Sequence, residues 1–136
     1  MSSAAMIQVR LCRILICETS EQQMIWLKEA SGERAFPIVI GFFEAAAIDR
    51  TIKAVRTPRP LTHDLLQRVI LDLGGEVERV EIHDLRESTF FARIVVRQGA
   101  DEIEIDARPS DAIALAIGAE APILVAEQIL ADAAAN

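Results

Sequence analysis

The order in which extended and helical segments follow one another constrains this chain more than any other feature. Residues 7–17 (IQVRLCRILIC) alternate imperfectly and predict a first strand with Ile7, Val9 and Leu11 on one side. Segments 24–30 and 35–40 flank Ser31-Gly32-Glu33, the punctuation of a hairpin. Gly41 then opens a helix in which Ala45, Ile48, Ile52 and Val55 recur at spacings of three and four. Thr57-Pro58-Arg59-Pro60 must end it, because proline has no N–H to donate and its ring clashes with the preceding turn. A second helix is expected from Thr62, with the Thr62 hydroxyl as cap and Leu61 with Leu66 as a hydrophobic staple. Leu65, Leu66, Val69, Ile70 and Leu73 are its expected buried face, and Gly74-Gly75 end it. Segments 77–85, 89–97 and 102–108 predict three more strands. Pro109 suits the first position of a third helix running to about Gly118. Residues 123–125 read as a short extended piece before a last helix over about 126–134.

Three strands and two helices therefore occur twice. An offset of 67 residues sets Glu44-Ala45-Ala46-Ala47-Ile48 against Asp111-Ala112-Ile113-Ala114-Leu115, each acidic residue opening the first helix of its half. This reads as an internal duplication, with halves at about 7–73 and 77–134 inside a single domain spanning 1–136. Consecutive hairpins cannot build a purely parallel sheet. The expected class is α+β: two β3α2-type repeats forming a curved or barrel-like mixed or antiparallel sheet flanked by helices. A chain of 136 residues with 51% hydrophobic content supports one such core and excludes a disordered protein.

Charge is unevenly spread. The net value of −7 disfavours a protein that coats DNA through bulk charge, and 4% aromatic content with no Tyr leaves little for base stacking. Residues 1–68 hold 9 Lys+Arg and 7 Asp+Glu, a balance of +2, whereas residues 69–136 hold 5 and 14, a balance of −9. Arg50, Lys53, Arg56, Arg59 and Arg68 face only Asp64 between positions 50 and 68, so a basic strip crosses the first helix pair. The apolar stretch 11–17 is short and interrupted by Arg13, and no leader pattern opens the chain, so a cytoplasmic protein without membrane contact is expected. Cys12 and Cys17, the only cysteines, fall on opposite faces if they share a strand, and are expected as buried free thiols.

Five strings carry a wider resemblance: GFFEAAAIDR (41–50), PRPLTHDL (58–65), VEIHDL (80–85), TFFA (89–92) and DARPSDAIALA (106–116). Together they resemble the bifunctional nuclease family, and the likeness runs from the first strand to the last helix. It implies a hydrolase that cuts phosphodiester bonds of both DNA and RNA with low sequence specificity.

Two segments hold the chemistry-bearing residues. At Arg59–Asp64, free N–H groups of a helix N-terminus beside Arg59, Thr62 and His63 suit a phosphate, and His63 suits proton transfer near neutral pH. Ordinary capping by Thr62, with Asp64 favoured by the helix dipole, accounts for the same residues. Lys53, Arg56 and Arg108 join Arg59 and Thr62 as phosphate-binding candidates. The second segment is Asp106–Arg108–Asp111, with Glu44 at the equivalent junction of the first half. Glu44, Asp106 and Asp111 converging would hold Mg²⁺ or Mn²⁺, which take oxygen ligands and assist phosphodiester hydrolysis. The catalytic candidates are thus His63, Asp64, Asp106 and Asp111. Cross-strand pairing of Arg93 with Asp106 and Arg97 with Glu102, from a turn at 98–101, explains those residues without catalysis. With two histidines no zinc site of His/Cys type can be built, and no GxSxG elbow, P-loop or Rossmann fingerprint is present. Phe42-Phe43 read as core or interface residues. A non-catalytic regulatory or protein-binding module is the alternative to a nuclease, and a homodimer fits either.

Overall fold

A computed structural model describes residues 5–134. Eleven elements follow the expected order: β1 (Met6–Leu15), β2 (Gln22–Glu29), β3 (Ala35–Gly41), α1 (Phe42–Ile52), α2 (Thr62–Asp72), β4 (Glu76–Arg86), β5 (Thr89–Gln98), β6 (Asp101–Ala107), α3 (Pro109–Ala119), β7 (Ile123–Ala126) and α4 (Glu127–Ala134). The class is α+β. The strands form one mixed seven-stranded sheet in the order β3-β2-β1-β7-β4-β5-β6. Every pairing is antiparallel except β4 with β7. The short extended piece at 123–125 is thus a true strand at the centre of the sheet, and it joins two antiparallel meanders that do not otherwise touch edge to edge.

The sheet is curved but does not close into a barrel, since β3 and β6 remain as edges. Its curvature is visible in one contact: Phe36 on edge strand β3 and Phe90 on β5 approach to 5.7 Å between ring centroids. Both rings lie on the concave face, as do Val9, Ile25, Leu27, Ile38, Val80, Ile82, Ile94 and Val125, which form one core with Ala45, Ile48, Ile113, Leu115, Ile129 and Leu130 from the helices. Pro37 in β3 is tolerated because an edge strand has one side without a ladder to feed. Gly75, after α2, lets the chain pass close to β5: a Cβ there would meet Val96 Cγ1 at 2.9 Å.

Several local expectations need correction. Leu61, not Thr62, is the N-cap of α2. The Asp64 carboxylate closes that end by accepting from the Leu61 N–H at 3.1 Å. No residue of α2 is buried. The helix rests on α3 through His63, Gln67 and Ile70, all half-buried, while Leu65, Leu66, Val69 and Leu73 stay exposed. Small side chains on α3 draw in the more polar side of α2, and the apolar stripe is left to one flank. Both cysteines are exposed rather than buried. Cys12 falls where β1 shifts register between Leu11 and Arg13, and Cys17 lies beyond the end of that strand. Phe43 is 80% exposed and so belongs to no core. Among the described residues no helix is long and apolar enough to cross a membrane.

The convex face of β4, β5 and β6 carries an ion-pair lattice. Glu81, only 5% exposed, accepts from Arg79 Nε at 2.8 Å and Arg93 Nε at 2.6 Å. Arg79 also reaches Glu102 at 2.9 Å, and Arg97 reaches Glu78 at 2.7 Å and Glu102 at 3.3 Å. The register pairs Arg93 with Asp106 and Arg97 with Glu102, as expected. Arg93 nevertheless turns to Glu81, where burial strengthens the pair. Burial pushes the Glu81 carboxyl up, but the hydrogen bonds from Arg79 and Arg93 outweigh it and hold its pKa below the ordinary value. A carboxyl depressed in the folded state adds stability that is complete above its unfolded pKa, about 4.3, and is lost as pH falls through the folded value. Glu81→Gln is therefore expected to cost about 3 kcal/mol at neutral pH, and progressively less below about pH 4. Denaturant unfolding of both proteins across that range measures the difference; an equal loss at every pH would contradict it.

Candidate functional site

The two meanders end on opposite edges of the sheet, and each edge strand runs straight into a helix: β3 into α1 and β6 into α3. Curvature brings the two helix starts together. Glu44 in the first turn of α1 lies 3.6 Å from the Arg108 guanidinium, which immediately precedes α3. Arg108 donates through Nε and Nη2 to Asp111 Oδ2, both at 2.9 Å. The other carboxylate oxygen, Asp111 Oδ1, meets His63 Nε2 at 3.0 Å across the α2–α3 contact. Glu44, Arg108, Asp111 and His63 therefore form one continuous polar chain. The Asp111 hydrogen bond raises the Arg108 pKa further, with its charge and that of Glu44 adding to the effect.

His63 is the most enclosed member after Glu44, with 17% of its side chain exposed against 11%. An ionised carboxylate only accepts, so Nε2 carries the ring proton and Nδ1 is left as the acceptor. The ring lines a cleft of about 410 Å³ bounded by the end of α1, the 53–61 linker, the start of α2 and one side of α3. Arg50, Thr51, Arg56, Thr57, Asp64 and Gln67 line it as well. Arg50 and Arg56 make no ion pair among the described residues, so two uncompensated guanidinium groups flank an oriented imidazole. Peptide N–H groups at the α2 N-terminus add to the positive potential.

The sequence candidates divide. His63, Asp64 and Arg56 meet at this cleft, and Asp111 and Arg108 reach it through hydrogen bonds. Lys53 pairs with Asp49 at 3.0 Å, one turn earlier on α1. Arg59 and Thr62 are exposed and outside the cleft lining. Arg50 and Gln67 are the additions; Arg50 belongs to the basic strip, and its spacing of three from Ala47 marks the same side of α1.

The carboxylate set Glu44, Asp106 and Asp111 does not assemble. Among the described residues no three His, Cys, Asp or Glu side chains are placed to share a cation. Asp106 stands in register opposite Arg93 on β5, whereas the Asp111 carboxylate is already taken by His63 and Arg108. Arg108 also stands between Glu44 and Asp111, so a guanidinium holds the place where a shared cation would sit. These residues do not fit the expected Mg²⁺ or Mn²⁺ site. Asp106 and Glu44 instead line a second cavity, of about 640 Å³, between the edge strand β3 and the ends of β5 and β6, with Phe90, Phe91 and Arg108.

Comparison with known proteins agrees with the resemblance in the motifs. The sequence profile of the bifunctional nuclease domain matches residues 25–136. An uncharacterized protein of Mycobacterium tuberculosis is 42% identical over 126 residues, covering 93% of this chain and 75% of that protein. Two rice proteins are more distant: bifunctional nuclease 2 of Oryza sativa subsp. japonica, 29% identical over 114 residues, and bifunctional nuclease 1 of Oryza sativa subsp. indica, 24% identical over 116 residues. The matches cover 81% and 82% of this chain and 35% of each rice protein. The chain belongs to the bifunctional nuclease domain family.

The imidazole geometry makes a direct expectation. In ¹⁵N-detected spectra near pH 8, His63 should show the Nε2–H tautomer, and Asp111→Ala should return the ring to a mixture. A wild-type ring predominantly protonated at Nδ1 would contradict the assignment.

Proposed function

We propose that this protein hydrolyses phosphodiester bonds of DNA and RNA, with low sequence specificity, at the cleft between α1, α2 and α3. The observation that carries this reading is the His63–Asp111 hydrogen bond beside Arg50 and Arg56, which make no ion pair among the described residues. Arg50, Arg56, the nearby Arg59 and the α2 N-terminus bind the phosphate, whose charge the chain's overall acidity would otherwise repel. His63 Nδ1 accepts a proton from water as the water oxygen attacks phosphorus. The bond from phosphorus to the leaving sugar oxygen breaks, and that oxygen takes its proton from solvent. Asp111 orients the ring and stabilises the imidazolium, and Arg108 fixes Asp111 from its other side. Lys53 and Thr62 contribute at the rim. The equivalent placement of Glu44 and Asp111, each opening a helix that follows an edge strand, supports descent of the two halves from one duplicated unit.

Membership of the family favours nucleic acid as substrate, and the names of the rice relatives point the same way. The divalent-cation dependence first expected finds no ready ligand set, so the proposed steps use none and the assay includes a chelator arm. Highly purified wild type, His63→Ala, Asp111→Asn, Arg56→Ala and Asp106→Ala are to be compared on labelled single-stranded DNA and RNA. His63→Ala should lower the cleavage rate about 10²–10⁴-fold, and Arg56→Ala should mainly raise the substrate concentration required. Asp106→Ala should cleave like wild type. Equal activity in wild type and His63→Ala would overturn the reading.

A further inference from the structure

The flank of α2 that faces away from α3 is more apolar than any surface needs to be. Leu65, Leu66, Val69 and Leu73 recur along it, with exposures of 52%, 37%, 45% and 72%. Leu73 caps the helix and the other three lie within it. Isolated exposed leucines are ordinary, but four at helical spacing on one flank make a contiguous stripe of the kind that marks an interface.

The charges beside the stripe identify what covers it. Arg68 and Asp72 pair at 3.1 Å along the rim and remain 72% and 65% exposed. Two copies of α2 laid antiparallel about a two-fold axis near Val69 bring Leu65 opposite the second copy's Leu73, and Val69 opposite itself. The same operation sets Arg68 against the second copy's Asp72, and Asp72 against its Arg68, within a residue or two of rise of about 1.5 Å each. The apolar positions are related about residue 69 and the charged pair about residue 70, one residue apart and within side-chain reach, which approaches the self-complementarity that an isologous contact requires. The antiparallel arrangement also opposes the two helix dipoles favourably. A membrane-adsorbing helix carries a basic polar face, whereas Asp64, Arg68 and Asp72 leave α2 slightly acidic.

We infer that this protein forms a two-fold homodimer through the exposed flank of α2. The contact leaves the cleft at His63 open, because that cleft is on the side of α2 facing α3. The inference is independent of the proposed nuclease activity.

Sedimentation equilibrium of the full chain tests it. Wild type is expected to be dimeric at about 100 μM, and Val69→Glu monomeric with an unchanged far-ultraviolet circular dichroism spectrum. Arg68→Glu should weaken association roughly tenfold with an unchanged far-ultraviolet circular dichroism spectrum, which separates the intermolecular contact from loss of the intrahelical Arg68–Asp72 pair, and Arg68→Glu/Asp72→Arg should restore association. A monomeric wild type, a dimer that survives Val69→Glu, or no rescue by the double exchange would overturn the inference. So would a monomer that binds vesicles of phosphatidylcholine and phosphatidylserine through Val69, which would assign the stripe to a membrane surface.

Discussion

The parallel ladder between β7 and β4 is the contact on which the rest of the architecture depends. Only three residue pairs make it, Val80 with Ile123, Glu81 with Leu124 and Ile82 with Val125. On its other edge β7 pairs antiparallel with β1. Without this four-residue strand the molecule would be two separate meanders, each with a half-covered face. With it the sheet runs unbroken from β3 to β6 and curves enough for Phe36 and Phe90 to touch. The curvature then delivers the starts of α1 and α3, which leave from opposite edges, to within ion-pair distance of one another.

Electrostatics divide along the two faces of that sheet. On the convex face Glu78, Glu81 and Glu102 are taken up by Arg79, Arg93 and Arg97. On the helix side Arg108 occupies Asp111 and Glu44, and among the described residues Arg50 and Arg56 make no ion pair. An acidic protein thereby keeps a local cationic cleft. This is the arrangement a weak, charge-selective site needs when the whole molecule repels polyanions at long range.

Much of the fold could be read from the sequence because hydrophobic period and turn residues agree along the chain. Strand order was not readable, since nothing local says that residues 123–126 insert between β1 and β4. The site residues were legible one at a time, but their spatial grouping was not. His63 and Asp111 stand 48 positions apart, and their contact depends on which side of α2 rests on α3. The apolar stripe predicts that Leu65 and Val69 turn inward; the small residues of α3 instead accept His63 and Gln67. Asp106 illustrates a signal that the strand pattern carries, beside the cross-strand register with Arg93. Ile103 and Ile105 alternate with Glu104 and Asp106 along β6, so period two alone puts Asp106 on the face opposite the core.

The central claim is that nucleic acid engages the cleft around His63 and not the cavity between β3 and β6. Amide chemical-shift mapping with a short oligonucleotide carrying phosphorothioate linkages, which resist cleavage, tests it directly. Perturbations are predicted at 50–67 and 111–118, together with the His63 ring. Perturbations concentrated at 37–41 and 89–91, with the His63 ring unmoved, would contradict the account.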